Sequence, residues 1–260
     1  MIKALFFDID GTLVSMGTHT IPASAVEAIT QAKRKGVKVF IATGRPYSII
    51  NNIDAILPFI EGYLTANGAH CMVGNEVVYH CPIPKCDVEL ILNDATEQDY
   101  SCVVVGETAI GTFNYKDNID RIYRRTLDIH GVDYHLSIDE LMQNDILELT
   151  PFATVEQEQL LMPRIPNCVS ARWHPEFMDV TSRMADKGRG LTAIAQHLGI
   201  PLEDCAAFGD GGNDISMIRA AGVGVAMGNA GDDVKQAADF VTTHIDDDGL
   251  MHAMQHLGIV

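Results

Sequence analysis

Short apolar runs alternate with segments of helical periodicity at both ends of this chain, and that alternation restricts its fold more than any other feature. In the first third, IKALFFD, VKVFIATG and GYLTANGA are apolar runs of buried-strand length. Between the first two, IPASAVEAITQAKRKG places Val26, Ile29 and Ala32 on one helical face, with Pro22 near its start and Gly36 at its end. PYSIINNIDAIL has the spacing of a second helix, and CMVGNEVVYH reads as a hairpin around Gly74-Asn75. The last third resumes the rhythm. KGRGLTAIAQHLG, NDISMIRAAG, DDVKQAAD and DGLMHAMQHLG read as helices, and CAAFGD, VGVAMG and FVTT as the strands between them. Apolar strands interleaved with helices predict an α/β fold, a Rossmann-like parallel sheet covered on both faces.

The middle of the chain departs from this pattern. YSCVVVGE, ILELTPF and CVSARWHPEFMDVTS alternate apolar and polar residues, and DVELILNDATEQ and DNIDRIYRRTLDIHG interrupt them as helices. An antiparallel α+β module inserted into the parallel domain is expected over residues 82–184. The core is then assembled from residues 1–81 and 185–260, with Pro82, Pro84 and the Arg183–Asp186 stretch as the crossings. At 260 residues the chain is long enough for both. No apolar run approaches the ~20 residues that span a bilayer. The N-terminus has no signal-peptide pattern, so a cytoplasmic location is expected. None of the six cysteines forms a C-x-x-C pair, which favours buried reduced thiols over a disulfide framework or a zinc site. Eighteen Lys and Arg against 35 Asp and Glu give a net charge of −17. Such a surface repels nucleic acid and anionic membranes, so neither is expected as a partner. It also repels an anionic substrate unless a bound cation and a lysine reverse the sign locally.

In an open parallel sheet, ligands bind beyond the carboxyl ends of the strands. The first core strand ends in Asp8-Ile9-Asp10-Gly11-Thr12, the second in Thr43-Gly44-Arg45, the third near Asn67-Gly68 and the fourth in Gly209-Asp210-Gly211-Gly212-Asn213-Asp214, with Lys187 opening the helix before it. Close carboxylates raise one another's pKa. A Mg²⁺ ion, which takes carboxylate and carbonyl oxygens, allows Asp8 and Asp210 to stay close while ionised. The pattern suggests phosphoryl transfer through an aspartate. Ionised Asp8 attacks phosphorus, and Asp10 protonates the leaving group and then activates water. Thr43, Lys187 and the N–H groups near Gly11 supply donors to the phosphoryl oxygens. Arg45 either touches substrate or pairs with a core carboxylate.

FFDIDGTL, ATGR, KG and GDGGNDISMIRAAGVGVAMGNA resemble, in order, the four signature motifs of the haloacid dehalogenase-like superfamily. More narrowly, they resemble its Cof-type phosphatases with a large α+β cap, subclass IIB. The resemblance implies that Asp8 is the nucleophile, Asp10 the acid/base, and Thr43 and Lys187 phosphate binders, with Gly44 and Asn213 grouped beside them. It implies a Mg²⁺ site of Asp8, the Asp10 main-chain carbonyl and Asp210, with Asn213 and Asp214 supporting that site. Asp186 departs from the pattern, standing where many relatives have Ser or another small residue before the lysine. The implied activity is hydrolysis of small phosphomonoesters, phosphorylated sugars such as hexose 6-phosphates, under a cap that selects the leaving group. A small phosphorylated metabolite is the expected partner, and no obligate protein partner is evident. Two alternatives use the same residues. A phosphomutase returns the phosphoryl group to a sugar hydroxyl. A phospho-aspartate signalling module stores it, but Asp10 argues against storage because it places a hydrolytic base beside the acyl phosphate.

Overall fold

The computed structural model describes residues 1–107, 109–126, 132–133 and 136–260. These divide into two compact units, one formed by 1–45, 50–80 and 186–260 and the other by 46–49 and 81–185. Among the described residues no helix is long and apolar enough to cross a membrane, and no disulfide is formed.

In the first unit the chain lays down β1 (Ala4–Phe7), β2 (Lys38–Ala42), β3 (Ile60–Thr65), β4 (His70–Val73) and β5 (Glu76–His80). The second unit contributes β6 (Cys102–Gly106), β7 (Ile110–Phe113), β8 (Val132–Asp133), β9 (Ile146–Pro151), β10 (Cys168–His174) and β11 (Phe177–Ser182). The chain then returns with β12 (Cys205–Gly209), β13 (Val223–Ala226) and β14 (Phe240–Val241). The first sheet has the order β14-β13-β12-β1-β2-β3-β4-β5. It is parallel from β14 to β3 and ends in the antiparallel β3-β4-β5 edge. The α/β expectation therefore holds, and the reason lies in the strand sequences. Leu5 and Phe7 point into one core with Val39, Ile41 and Phe208, covered by the helices Ala23–Arg34 and Gly249–His256. Ala4 and Phe6 point into the opposite core with Phe40, Leu64 and Leu191 of the helix Lys187–His197. A strand buried on both faces has no position for a polar residue until its end, and there Asp8 appears.

The second unit is an α+β sandwich. Its described strands run β10-β11-β9-β6-β7-β8, antiparallel except for β7 with β8. Val104, Leu149 and Val180 pack on one face against Val88 and Ile91 of the helix Lys85–Glu97. Val103, Val105, Phe152 and Phe177 form the other face with Ile119, Ile122 and Tyr123.

One helical expectation fails and a second is met in altered form. PYSIINNIDAIL gives only 3-10 turns at Tyr47–Ile49 and Leu57–Phe59. Its isoleucines have helical spacing, but Asn52 is left-handed at φ 62°, which breaks the run while Ile53 and Ile56 still reach the core. DNIDRIYRRTLDIHG begins as a single α-turn, Asp117–Ile119, and continues as a π-helix over Asp120–Thr126. Its remainder, 127–131, lies outside the described residues.

Candidate active site

Asp8 directly follows β1, and its N–H donates to the Phe208 carbonyl at 3.0 Å, extending the β1–β12 ladder by one bond. The Asp8 carboxylate thereby lies beside the end of β12, where Gly209 leads into Asp210. Gly11 makes the next approach possible. It is left-handed at φ +85°, and a Cβ there would lie 2.3 Å from the Asp210 Oδ2 atom. Only glycine allows this turn to close against that carboxylate. Thr12 Oγ1 donates to Asp210 Oδ1 at 3.0 Å, tying the two loops together.

The turn after β3 delivers Lys187. Ala66, Asn67 and Gly68 all have positive φ, at 46°, 54° and 92°, and a left-handed alanine costs about 1–2 kcal/mol. A Cβ on Gly68 would meet the Asp186 carbonyl oxygen at 2.4 Å, so this turn seats the start of the helix Lys187–His197. Asp186, the departure from the family pattern, caps that helix and accepts from the Arg189 N–H at 2.9 Å. Lys187 is 1% exposed, and its Nζ donates to Asp8 Oδ1 at 2.7 Å and to Asp214 Oδ1 at 2.6 Å. Asp214 is completely buried, and its other oxygen accepts from the N–H groups of Asp210 and Gly211 at 3.0 and 2.9 Å.

Asp8, Asp210 and Asp214 each offer an oxygen within 4.8 Å of the others. Among the described residues, Lys187 is the cation paired into this group of three acids, so the cluster carries excess negative charge. Burial pushes the Asp8 carboxyl well above the usual carboxylate range, and the neighbouring Asp214 adds to this against the opposing pull of Lys187. Burial likewise lifts Asp210 to about 6, although the Thr12 hydrogen bond works against it. For Lys187, burial alone favours the neutral amine, but Asp214 and Asp8 outweigh it and hold the ammonium charged. An all-oxygen donor set with uncompensated negative charge fits a hard divalent cation. Asp214 is fully buried and bonded at both oxygens to Lys187 and the backbone, whereas Asp8 bonds Lys187 through one oxygen only and Asp210 is partly exposed, so Asp8 and Asp210 are the better placed to ligate it, with Asp214 holding Lys187 and the Asp210 loop in position.

Asp10 belongs to a different electrostatic environment. Its Oδ2 accepts from Arg45 Nε at 2.8 Å, and its Oδ1 accepts from Arg45 Nη2 at 2.5 Å. Of the two roles open to Arg45, the structure pairs it with a core carboxylate. Arg45 also donates to Asn51. Thr43 is buried, and its Oγ1 accepts from the Arg45 N–H at 3.0 Å, leaving the hydroxyl hydrogen available to donate. Asn213 Nδ2 donates to Asn67 Oδ1 at 2.9 Å. A Cβ at Gly44 would lie 3.2 Å from that same Asn67 oxygen, so Gly44, Asn67 and Asn213 adjoin one another. Sequence reasoning gave no role to Thr12 or Asn229. Asn229 donates to the Gly11 carbonyl at 2.8 Å and to Asp210 Oδ2 at 3.3 Å, and it accepts from the Ile245 N–H at 3.1 Å. Its signal is its place in the GNA that closes the fourth motif, beyond the carboxyl end of β13.

Residues 5–254 match the family model described as haloacid dehalogenase-like hydrolase. The chain is 31% identical to phosphatase YwpJ of Bacillus subtilis (strain 168) over 98% of this chain and 100% of that protein. It superposes on the subclass IIB sugar phosphatase BT4131 with a TM-score of 0.89 and 46% identity, covering 99% of this chain and 100% of that one. The phosphatase BT1666 from Bacteroides thetaiotaomicron superposes with a TM-score of 0.89 and 34% identity, covering 100% and 96%. The chain belongs to the haloacid dehalogenase-like hydrolase family.

Proposed function

We propose that this protein is a Mg²⁺-dependent phosphatase that hydrolyses small phosphomonoesters, phosphorylated sugars among them, through an aspartyl phosphate on Asp8. One observation carries the reading: two aspartates a residue apart are held in separate electrostatic environments. Asp8 faces Lys187 beside Asp210 and Asp214, while Asp10 is bound by Arg45. The names of its relatives, a sugar phosphatase among them, support the same activity. Asp8 and Asp210, with the Asp10 main-chain carbonyl, would hold the ion, which neutralises phosphoryl oxygens when bound.

In this reading Asp8 attacks phosphorus in line, and the ester P–O bond breaks. Lys187 and the Thr43 hydroxyl donate to the equatorial oxygens. Asp10 gives its proton to the departing alkoxide. It then takes a proton from the water that attacks the acyl phosphate, releasing phosphate and restoring Asp8. Arg45 engages both Asp10 oxygens, so acid catalysis requires one of those bonds to open. The second unit is our candidate for selecting the leaving group.

The test is phosphate release from a panel of phosphorylated metabolites, hexose 6-phosphates included, by the native chain and by Asp8→Asn. We expect release by the native protein and none by the variant. A near-native rate in Asp8→Asn would overturn the covalent route. Isomerised sugar phosphate without released phosphate would indicate a mutase.

A further inference from the structure

The edge hairpin of the first unit carries two histidines outside the acidic site. His70 opens β4 and His80 closes β5, and the register places them directly opposite one another. Their Nδ1 atoms share a hydrogen bond at 3.2 Å, whose proton a metal ion bound to both would displace, and the ring centroids are 5.4 Å apart with the ring planes at 88°. His70 is 8% exposed.

This pairing depends on a bulge. From the Gly74-Asn75 turn, Val73 pairs with Glu76 and Met72 with Val77, but Cys71 then pairs with Tyr79. One extra residue has entered β5 at Val78. Without it His70 would face Tyr79, and His80 would lie on the other face of the sheet. The irregularity therefore brings the two imidazoles together.

We propose that His70 and His80 form a binding site for a borderline divalent transition-metal ion of the Zn²⁺ class, ligated through the Nδ1 of each ring. At Zn–N bonds of ~2.0–2.1 Å, two ligands of a tetrahedral ion are ~3.3–3.4 Å apart. The observed 3.2 Å lies within the ~0.2 Å tolerance of such a site. Imidazole nitrogens suit Zn²⁺ and disfavour hard Mg²⁺. This pair and the acidic cluster thus differ in the ions they select. The bound ion cross-links β4 to β5.

The full chain, saturated with Mg²⁺ and stripped of transition metals, is titrated with Zn²⁺ by calorimetry. We expect one tight site, weakened by about 100-fold or more in His70→Gln and in His80→Gln, since a direct ligand matters at least as much as the outer partners worth ~10–100-fold. Asp210→Asn should keep the site. Unchanged affinity in both histidine variants, or loss of Zn²⁺ binding in Asp210→Asn, overturns the proposal. Imidazole ¹⁵N spectra of the unaltered protein test it independently of variant folding. Substoichiometric Zn²⁺ should shift the Nδ1 signals of these two rings first, and two Nδ1 signals that stay unmoved would refute it.

Discussion

Replacing Lys187 with Met removes a positive charge from the buried cluster while keeping most of the side-chain volume. The ammonium lies 2.7 Å from Asp8 and 2.6 Å from Asp214, and its side chain is 0% exposed. Breaking a buried pair by deleting one partner typically costs about 3–5 kcal/mol, because the remaining charges stay buried without compensation. At ~2–4 °C per kcal/mol for a unit of this size, the melting temperature of the first unit should fall by about 6–20 °C at pH 7.5 without divalent ions. The pH dependence gives the argument its sign. Burial already makes Asp8 and Asp210 bind protons more tightly in the folded state than in the unfolded chain, and with the opposing pull of Lys187 gone that preference grows. Lowering the pH toward 4 therefore recovers stability that is lost at neutral pH. Saturating Mg²⁺ should restore part of the loss at pH 7.5 by supplying positive charge to the same oxygens. Calorimetric scans of native and variant protein at pH 7.5 and pH 4.5, with and without Mg²⁺, measure both effects. A deficit that is the same at both pH values and indifferent to Mg²⁺ would refute the electrostatic account and leave only a packing defect.

Gly11→Ala forces a Cβ to within 2.3 Å of Asp210 Oδ2 at a left-handed position; displacing that carboxylate should cost about 100-fold in turnover, read by phosphate release, with the far-ultraviolet dichroism unchanged. Arg45→Ala strips Asp10 of both guanidinium bonds and should lower kcat about tenfold to a hundredfold, part of the worth of acid–base catalysis, while Mg²⁺ affinity measured by calorimetry stays the same. Glu148 in the second unit is 7% exposed, and burial, reinforced by Asp179, raises its carboxyl well above the usual 4.5. The folded state holds that proton more tightly, so Glu148 costs stability as the pH rises above about 4.5; Glu148→Gln should gain about 1–3 kcal/mol at pH 7 in urea unfolding and nothing at pH 4.

Strand ends were the most legible part of the sequence. A doubly buried strand excludes polar side chains along its length, so Asp8, Thr43 and Asp210 stand out where they occur, and a lysine at the start of a helix is electrostatically misplaced unless acids receive it. What the sequence hid were contacts fixed by tertiary approach. Nothing adjacent to Asn229 indicates that it reaches Gly11 and Asp210, and nothing in DIDGT indicates that Thr12 ties itself to Asp210 rather than to its own turn. Arg45 was open between substrate and carboxylate because the partner, Asp10, is 35 residues away. The failed helix between Pro46 and Pro58 shows the opposite error. Its isoleucine spacing is genuine and serves burial, but local backbone geometry at Asn52 prevents regular structure.

The order of the chain has a consequence for its synthesis. β1 is flanked by β2 and β12, so one of its neighbours is made almost immediately and the other only after some 200 residues, about ten seconds or more at ~5–20 residues per second. Residues 81–185 are contiguous and can condense on the ribosome during that interval. Meanwhile the apolar edge of β1 is unpaired, a surface that invites association with other chains. The ladder that places Asp8 beside Asp210 cannot form until β12 has emerged, so nascent chains should depend on chaperones until β12 docks and acquire enzymatic competence only after that.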